Sequence, residues 1–145
     1  HKFHNVGAGI NRLPKAEVDS LVEKFIAANY NKAEVDIKVL KDAKTSEIGR
    51  VAVTRNLSEV GAFKTPTLRN IELTAPYMHD GRFNTIEEVI DHYSEGLQHS
   101  STIDPLMKKV SQGGVQLTPL ERADLKAFLI TLTDDDFINN PSFQN

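Results

Sequence analysis

The chain has 145 residues, enough for one domain with a real core, and 39% of them are apolar and 26% charged, as in an ordinary soluble globule. Seventeen Lys and Arg against 20 Asp and Glu give a net charge of -3, which speaks against a nucleic-acid binder, as does the lack of any basic stripe. No apolar run reaches the length of a membrane span, and the absence of cysteine leaves the redox compartment unread.

Residues 1 to 13 are rich in Gly and Asn and read as a loop, beginning abruptly at HKFHNVGAG as the interior of a longer sequence would. Pro14 then opens a helical stretch, with Val18, Leu21, Val22 and Phe25 on one face. The pentamer KAEVD occurs at 15–19 and again at 32–36; one repeat that short reads as two charged helix starts. Residues 41–73 lack helical periodicity, GRVAVT (49–54) suggesting a short extended piece and Pro66 steering Thr65 away from helix, and 41–83 read as mostly irregular with turns. Irregular backbone of that length needs partners for its polar groups, so the segment is expected to wrap something.

Regular structure returns at Thr85, where TIEE is a capping box with Thr85 as N-cap and Glu88 reaching back. Ile86, Val89, Ile90 and Tyr93 follow at helical spacing, which turns Tyr93 inward, leaves His92 one position off the buried face and therefore exposed, and ends the helix at Gly96. A second short helix is expected over Pro105–Val110, and QGGVQ is a turn. The last helix opens on a second capping box, with Thr118 as N-cap, Pro119 at the first helical position and Glu121 three residues on. Its apolar face is Leu125, Phe128, Leu129 and Leu132, and DDDFINNPSFQN is a polar tail.

TAPYMHDGRF (74–83) places Met78 beside His79, the two side-chain types that ligate haem iron in electron carriers. Neighbours on extended backbone point opposite ways, so both cannot easily reach one iron; Met78 filling a core gap and His79 making a hydrogen bond is the plainer reading. HDG is itself a good turn signal. Tyr93, on the apolar face of a well-capped helix, needs a partner for its hydroxyl: either a backbone carbonyl or, as a phenolate, ferric haem iron. Lys64 and Arg69 flank Thr65–Thr67, and Arg offers a planar fork to carboxylates such as haem propionates, solvent being the plainer alternative. His1, His4, His92 and His99 show no metal-ligand grouping, and no nucleophile elbow, P-loop or dinucleotide fingerprint is present.

GAFKTPTLRNIELTAPYMHDGRFNTIEEVIDHYSEG (61–96) resembles the C-terminal haem domain of bacterial di-haem cytochrome c peroxidases and MauG-like enzymes. LTPLERADLKAFLITLTDDDFINNPSF (117–143) resembles that domain's last helix and tail, and FHNVG (3–7) the stretch shortly after its C-x-x-C-H. The resemblance implies a mainly α, class I cytochrome-c-like domain (its C-terminal portion) with long ordered loops. Residues 1–145 would form one domain, the C-terminal part of a di-haem peroxidase-like protein, with 11–46 as an insertion.

The helix after the HDG turn supplies the sixth haem ligand in this family, Met in peroxidases and Tyr in MauG-like members, so the resemblance makes Tyr93 the iron contact and Met78 a packing residue. It places His79 near the haem and suggests a propionate role for Arg69. It also implies a Ca²⁺ held by the backbone carbonyls of Thr74 and Pro76, oxygen donors that suit that ion. Haem c would be attached outside this chain, because C-x-x-C-H is missing. The parent would be a periplasmic oxidoreductase using hydrogen peroxide, MauG-like by its Tyr, with this domain as the electron-transfer side. Its partners would be the N-terminal haem domain of the same protein and an electron donor protein or protein substrate. An ordinary cytochrome c peroxidase and a haem-free interaction module are the alternatives. The isolated 145 residues are expected to be inactive.

Overall fold

Two short antiparallel strands tie the amino-terminal segment to the middle of the chain in the computed structural model, which describes residues 2–8, 20, 49–54, 56–100 and 102–143. The helix expected from Pro14, with Val18, Leu21, Val22 and Phe25, and nearly all of the insertion expected at 11–46 lie outside those residues. Strand β1 (Phe3–His4) pairs with β2 (Phe63–Lys64) in the register Phe3↔Lys64 and His4↔Phe63. Asn5 secures the same connection from beneath. Its buried amide nitrogen, with two hydrogens to donate, lies within reach of Val60 O (3.2 Å), Ser100 Oγ (3.2 Å) and Thr102 Oγ1 (3.0 Å), and its Oδ1 accepts from Gly7 N (2.9 Å). A Cβ at Gly61 would lie 2.7 Å from that amide nitrogen, so a larger residue there would push Asn5 off these partners.

The extended piece expected at 49–54 is a single helical turn, α1 (Val51–Thr54). Extended pairing stops at the bridge between Gly49 and Ala62, and the Arg50 carbonyl then accepts from Val53 N (2.9 Å) and Thr54 N (3.1 Å). Burying Val51 beside Val60 and Ala62 outweighs the strand preference of its β-branched residues. From 65 to 84 the backbone is irregular, as expected, with one tight turn at Ile71–Leu73. The HDG turn is present: Tyr77 and Phe83 exchange backbone bonds (2.7 and 3.4 Å) across Met78–Arg82.

Helix α2 (Ile86–Asp91) begins on the expected box, Thr85 accepting from Glu88 N while Glu88 accepts from Thr85 N. It carries much of the core, because Ile86 and Ile90 are buried. After Asp91 the helix widens into a π-turn over His92–Gly96. The helix expected at Pro105–Val110 is absent. Asp104 caps a simple turn there, and left-handed Lys109 (φ 54°) breaks the path before a tight turn at Val110–Gln112.

Helix α3 (Pro119–Ile130) starts on the second box and packs against α2. Arg122 reaches Asp91 (2.5 Å) and Glu95 (3.0 Å), and Lys126 pairs with Glu87. Of its predicted apolar face, Leu129 and Leu132 are half-buried, whereas Leu125 and Phe128 are exposed. The polar tail instead forms a turn of helix, α4 (Asp135–Ile138), capped by Asp134. Among the described residues the protein is partly helical with little sheet.

Candidate functional site

Tyr93 sits in the π-turn, and that turn exposes backbone that a regular helix would hide. The widened turn leaves carbonyls of residues 93 and 94 without helical partners. The segment Gly113–Leu117 supplies them: Val115 N donates to Tyr93 O (3.2 Å) and Gln116 N to Ser94 O (2.9 Å). Leu117 N donates to the fully buried Ser94 Oγ (2.8 Å), and Leu97 N returns a bond to Gly113 O (2.7 Å). The approach is close enough that a Cβ on Gly114 would lie 2.3 Å from Tyr93 O. The double glycine that reads as an ordinary turn in the sequence is thus the backing of the Tyr93 site.

The Tyr93 ring is half-buried, and its hydroxyl makes no hydrogen bond among the described residues. Desolvation pushes the phenol above its ordinary value of 10.0. His92 meets it edge-on, ring centres 5.2 Å apart at 70°, and the Phe83 ring centre lies 5.5 Å from that of His92. His92 is buried, not exposed as the helical spacing predicts, because the widened turn rotates residues after Asp91 away from the 3.6-residue register. Its Nε2 lies 3.0 Å from Val6 O. Burial lowers the His92 pKa, the bond to Val6 opposes that, and the Arg82 charge adds to the lowering.

The periodicity also passes over Arg82. Its side chain is buried and forks onto Asp80, Nε lying 2.9 Å from each carboxylate oxygen. Those bonds hold the Asp80 carboxyl below its ordinary value. A buried Arg two residues past HD in the turn was the available signal, since Arg is seldom buried without a task or a partner.

The remaining candidates lie on other partners. His79 stacks on Phe63, 3.8 Å between ring centres at 12°. Arg69 is engaged by Asp134 (Nε to Oδ2, 2.9 Å), and its guanidinium lies 5.1 Å from the Phe137 ring. Lys64 donates to its neighbour Thr65 O (3.0 Å). Met78 is half-buried in the turn at φ 71°. Thr74 and Pro76 are exposed, and their carbonyls accept no hydrogen bond among the described residues. No group of three or more His, Cys, Asp or Glu among the described residues is arranged to hold a metal ion, and no helix among them is long and apolar enough to cross a membrane.

A residue that would hold haem iron needs a donor atom without a competing bond, and among the described residues the Tyr93 hydroxyl has none. Burial that disfavours a free phenolate ceases to do so beside a ferric cation, which neutralises the charge. The residues present therefore fit haem ligation by Tyr93.

No protein-family model matches the chain. It is 39% identical over 93 residues to the cytochrome-c peroxidase IdrP2 of Pseudomonas sp. (strain SCT), covering 64% of this chain and 23% of that protein. It is 42% identical over 71 residues to the methylamine utilization protein MauG of Methylorubrum extorquens, covering 49% of this chain and 19% of the relative. The crystal structure of a MauG-like protein associated with microbial copper homeostasis superposes with a TM-score of 0.60 at 42% identity, over 67% of this chain and 32% of that one. The chain thus spans about a quarter of the length of the curated relatives it matches.

Proposed function

We propose that this chain, whose homologues are members of the di-haem cytochrome c peroxidase and MauG family, is the C-terminal haem domain of a MauG-like oxidoreductase with Tyr93 as the sixth ligand. The observation that carries the reading is the half-buried Tyr93 hydroxyl with no hydrogen bond among the described residues, at a helix widened into a π-turn. The domain would have the class I cytochrome-c-like fold, and its parent would work in the periplasm with hydrogen peroxide as oxidant. When bound, haem c supplies one-electron chemistry at iron; an anionic oxygen ligand favours the ferric state over the ferrous one, unlike a neutral Met.

The chain's own residues supply orientation and charge. Tyr93 holds the ligating oxygen, and the Gly113–Leu117 segment fixes its backbone. His79, stacked on Phe63, would stand near the haem edge. Arg69 would take a haem carboxylate in exchange for Asp134. The carbonyls of Thr74 and Pro76 would complete a Ca²⁺ site shared with the N-terminal haem domain, whose residues supply the other ligands. The remaining partner would be an electron donor protein or a protein substrate.

The test is Tyr93→Phe in the full-length, haem-loaded protein. The ferric absorption spectrum should lose its oxygen-ligand signature and the reduction potential of this haem should rise. A wild-type potential in the high range of His/Met haems, unmoved by the substitution, would overturn the assignment and favour an ordinary peroxidase.

A further inference from the structure

His92 has the features of a part made for Tyr93 and none of a surface residue. Its imidazole is buried, its Nε2 lies 3.0 Å from a carbonyl, and it is packed against two aromatic rings. A carbonyl only accepts, so Nε2 carries the hydrogen and donates to Val6 O. Val6 belongs to the segment that Asn5 clamps to Val60, Ser100 and Thr102, which makes the acceptor a fixed point. A rigid acceptor, a two-torsion side chain and an edge-on ring 5.2 Å from the phenol together leave the Tyr93 ring little freedom. The π-turn is what brings the two side chains there at adjacent positions, since on a regular helix His92 would face solvent.

We propose that His92 is a positioning residue for Tyr93: by donating to Val6 O it holds the imidazole as one wall of the phenol's slot and so sets the direction in which the hydroxyl is presented. The inference rests on the reading of Tyr93 as a haem ligand and adds the device that aims it.

The experiment compares His92→Phe, His92→Gln and His92→Asn in the full-length haem-loaded protein, with Tyr93→Phe and Asn56→Ala alongside. Asn56 accepts from Ser58 N (3.1 Å) in the loop after α1 and makes no hydrogen bond to His92, Tyr93 or Val6, so its variant serves as the stability control. The readouts are the ferric absorption spectrum, the potential of this haem and the urea midpoint. His92→Phe, which keeps a ring and loses the donor, should convert part of the ferric population to the spectrum of Tyr93→Phe. His92→Gln, whose amide can still reach Val6 O, should keep the wild-type spectrum; the shorter His92→Asn should not.

An unchanged spectrum in Tyr93→Phe would sink the ligand reading and this inference with it. A changed spectrum in Tyr93→Phe with an unchanged one in His92→Phe would sink the positioning role alone. So would a spectral change in Asn56→Ala as large as that in His92→Phe. Should His92→Phe fail to fold, the Gln and Asn variants decide, and identical spectra for those two would refute the role.

Discussion

Gly114→Ala should be among the most damaging one-carbon additions in this molecule, and its cost can be built from the coordinates. Gly114 has φ 145°, a conformation L side chains rarely adopt, and holding a non-Gly residue there costs about 1–3 kcal/mol. The new Cβ would lie 2.3 Å from Tyr93 O and 2.6 Å from Ser94 O, against backbone that cannot swing aside as a side-chain tip could. Relief requires the 113–117 segment to back away, which breaks the Val115 N–Tyr93 O and Gln116 N–Ser94 O bonds, each worth about 1 kcal/mol net. The sum is about 3–5 kcal/mol, a large share of the roughly 5–15 kcal/mol that holds a domain folded. Urea unfolding followed by circular dichroism should show a midpoint lower by about 2 M, taking a slope of about 2 kcal/mol per molar. Gly81→Ala is the contrast: its Cβ would meet only the Pro76 ring, at 3.1 Å, so the cost should be that of positive φ alone. A loss below about 1 kcal/mol for Gly114→Ala would mean that the segment does not press on the π-turn, and the account of how Tyr93 is held would fail.

Asn5→Ala should cost about 2–4 kcal/mol in the same assay, because it leaves Gly7 N without its acceptor and unties three loops in one step. Thr118→Ala removes the acceptor for Glu121 N and should cost about 1 kcal/mol, read as a lower unfolding midpoint. Acid should weaken the fold through Asp80. Its folded pKa lies below the ordinary 3.8 because of the Arg82 hydrogen bonds, so its contribution is complete above that value and is lost as pH falls through the lower folded one. Between about pH 5 and pH 3 the urea midpoint of Asp80→Asn should therefore fall less than that of the parent, and equal falls would show that the pair contributes nothing.

Both capping boxes were readable because an N-cap is local: Thr85 with Glu88, and Thr118 with Glu121, lie three residues apart and satisfy each other without help from the fold. The HDG turn was readable for the same reason. Periodicity worked as far as it applied, since Ile86 and Ile90 are buried as their spacing demands. It failed at His92, where the period itself changes, and nothing within 86–96 announces that change. The cause lies twenty residues on, in a Gly-Gly pair whose closeness to Tyr93 and Ser94 is a tertiary fact. Val51–Thr54 went wrong for a related reason, burial of Val51 overriding a weak strand preference. Tyr93 could be placed on the inward face from spacing, whereas the freedom of its hydroxyl could not.

Two departures from regular geometry, the π-turn at His92–Gly96 and the φ of 145° at Gly114, therefore meet at one residue. A regular helix through 96 would satisfy the Tyr93 and Ser94 carbonyls internally, expose His92 and need no glycine opposite. The chain instead uses a widened turn and restores the lost bonds with a second segment. For stability alone that exchange is a loss, since it orders extra backbone to recover bonds a helix provides locally. Strain that the surroundings over-determine collects at working sites. What this strain achieves is visible in the geometry: a half-buried phenol, walled by a buried imidazole, with no hydrogen bond among the described residues. An aliphatic core position would require none of those three features, and a ligating oxygen benefits from all of them.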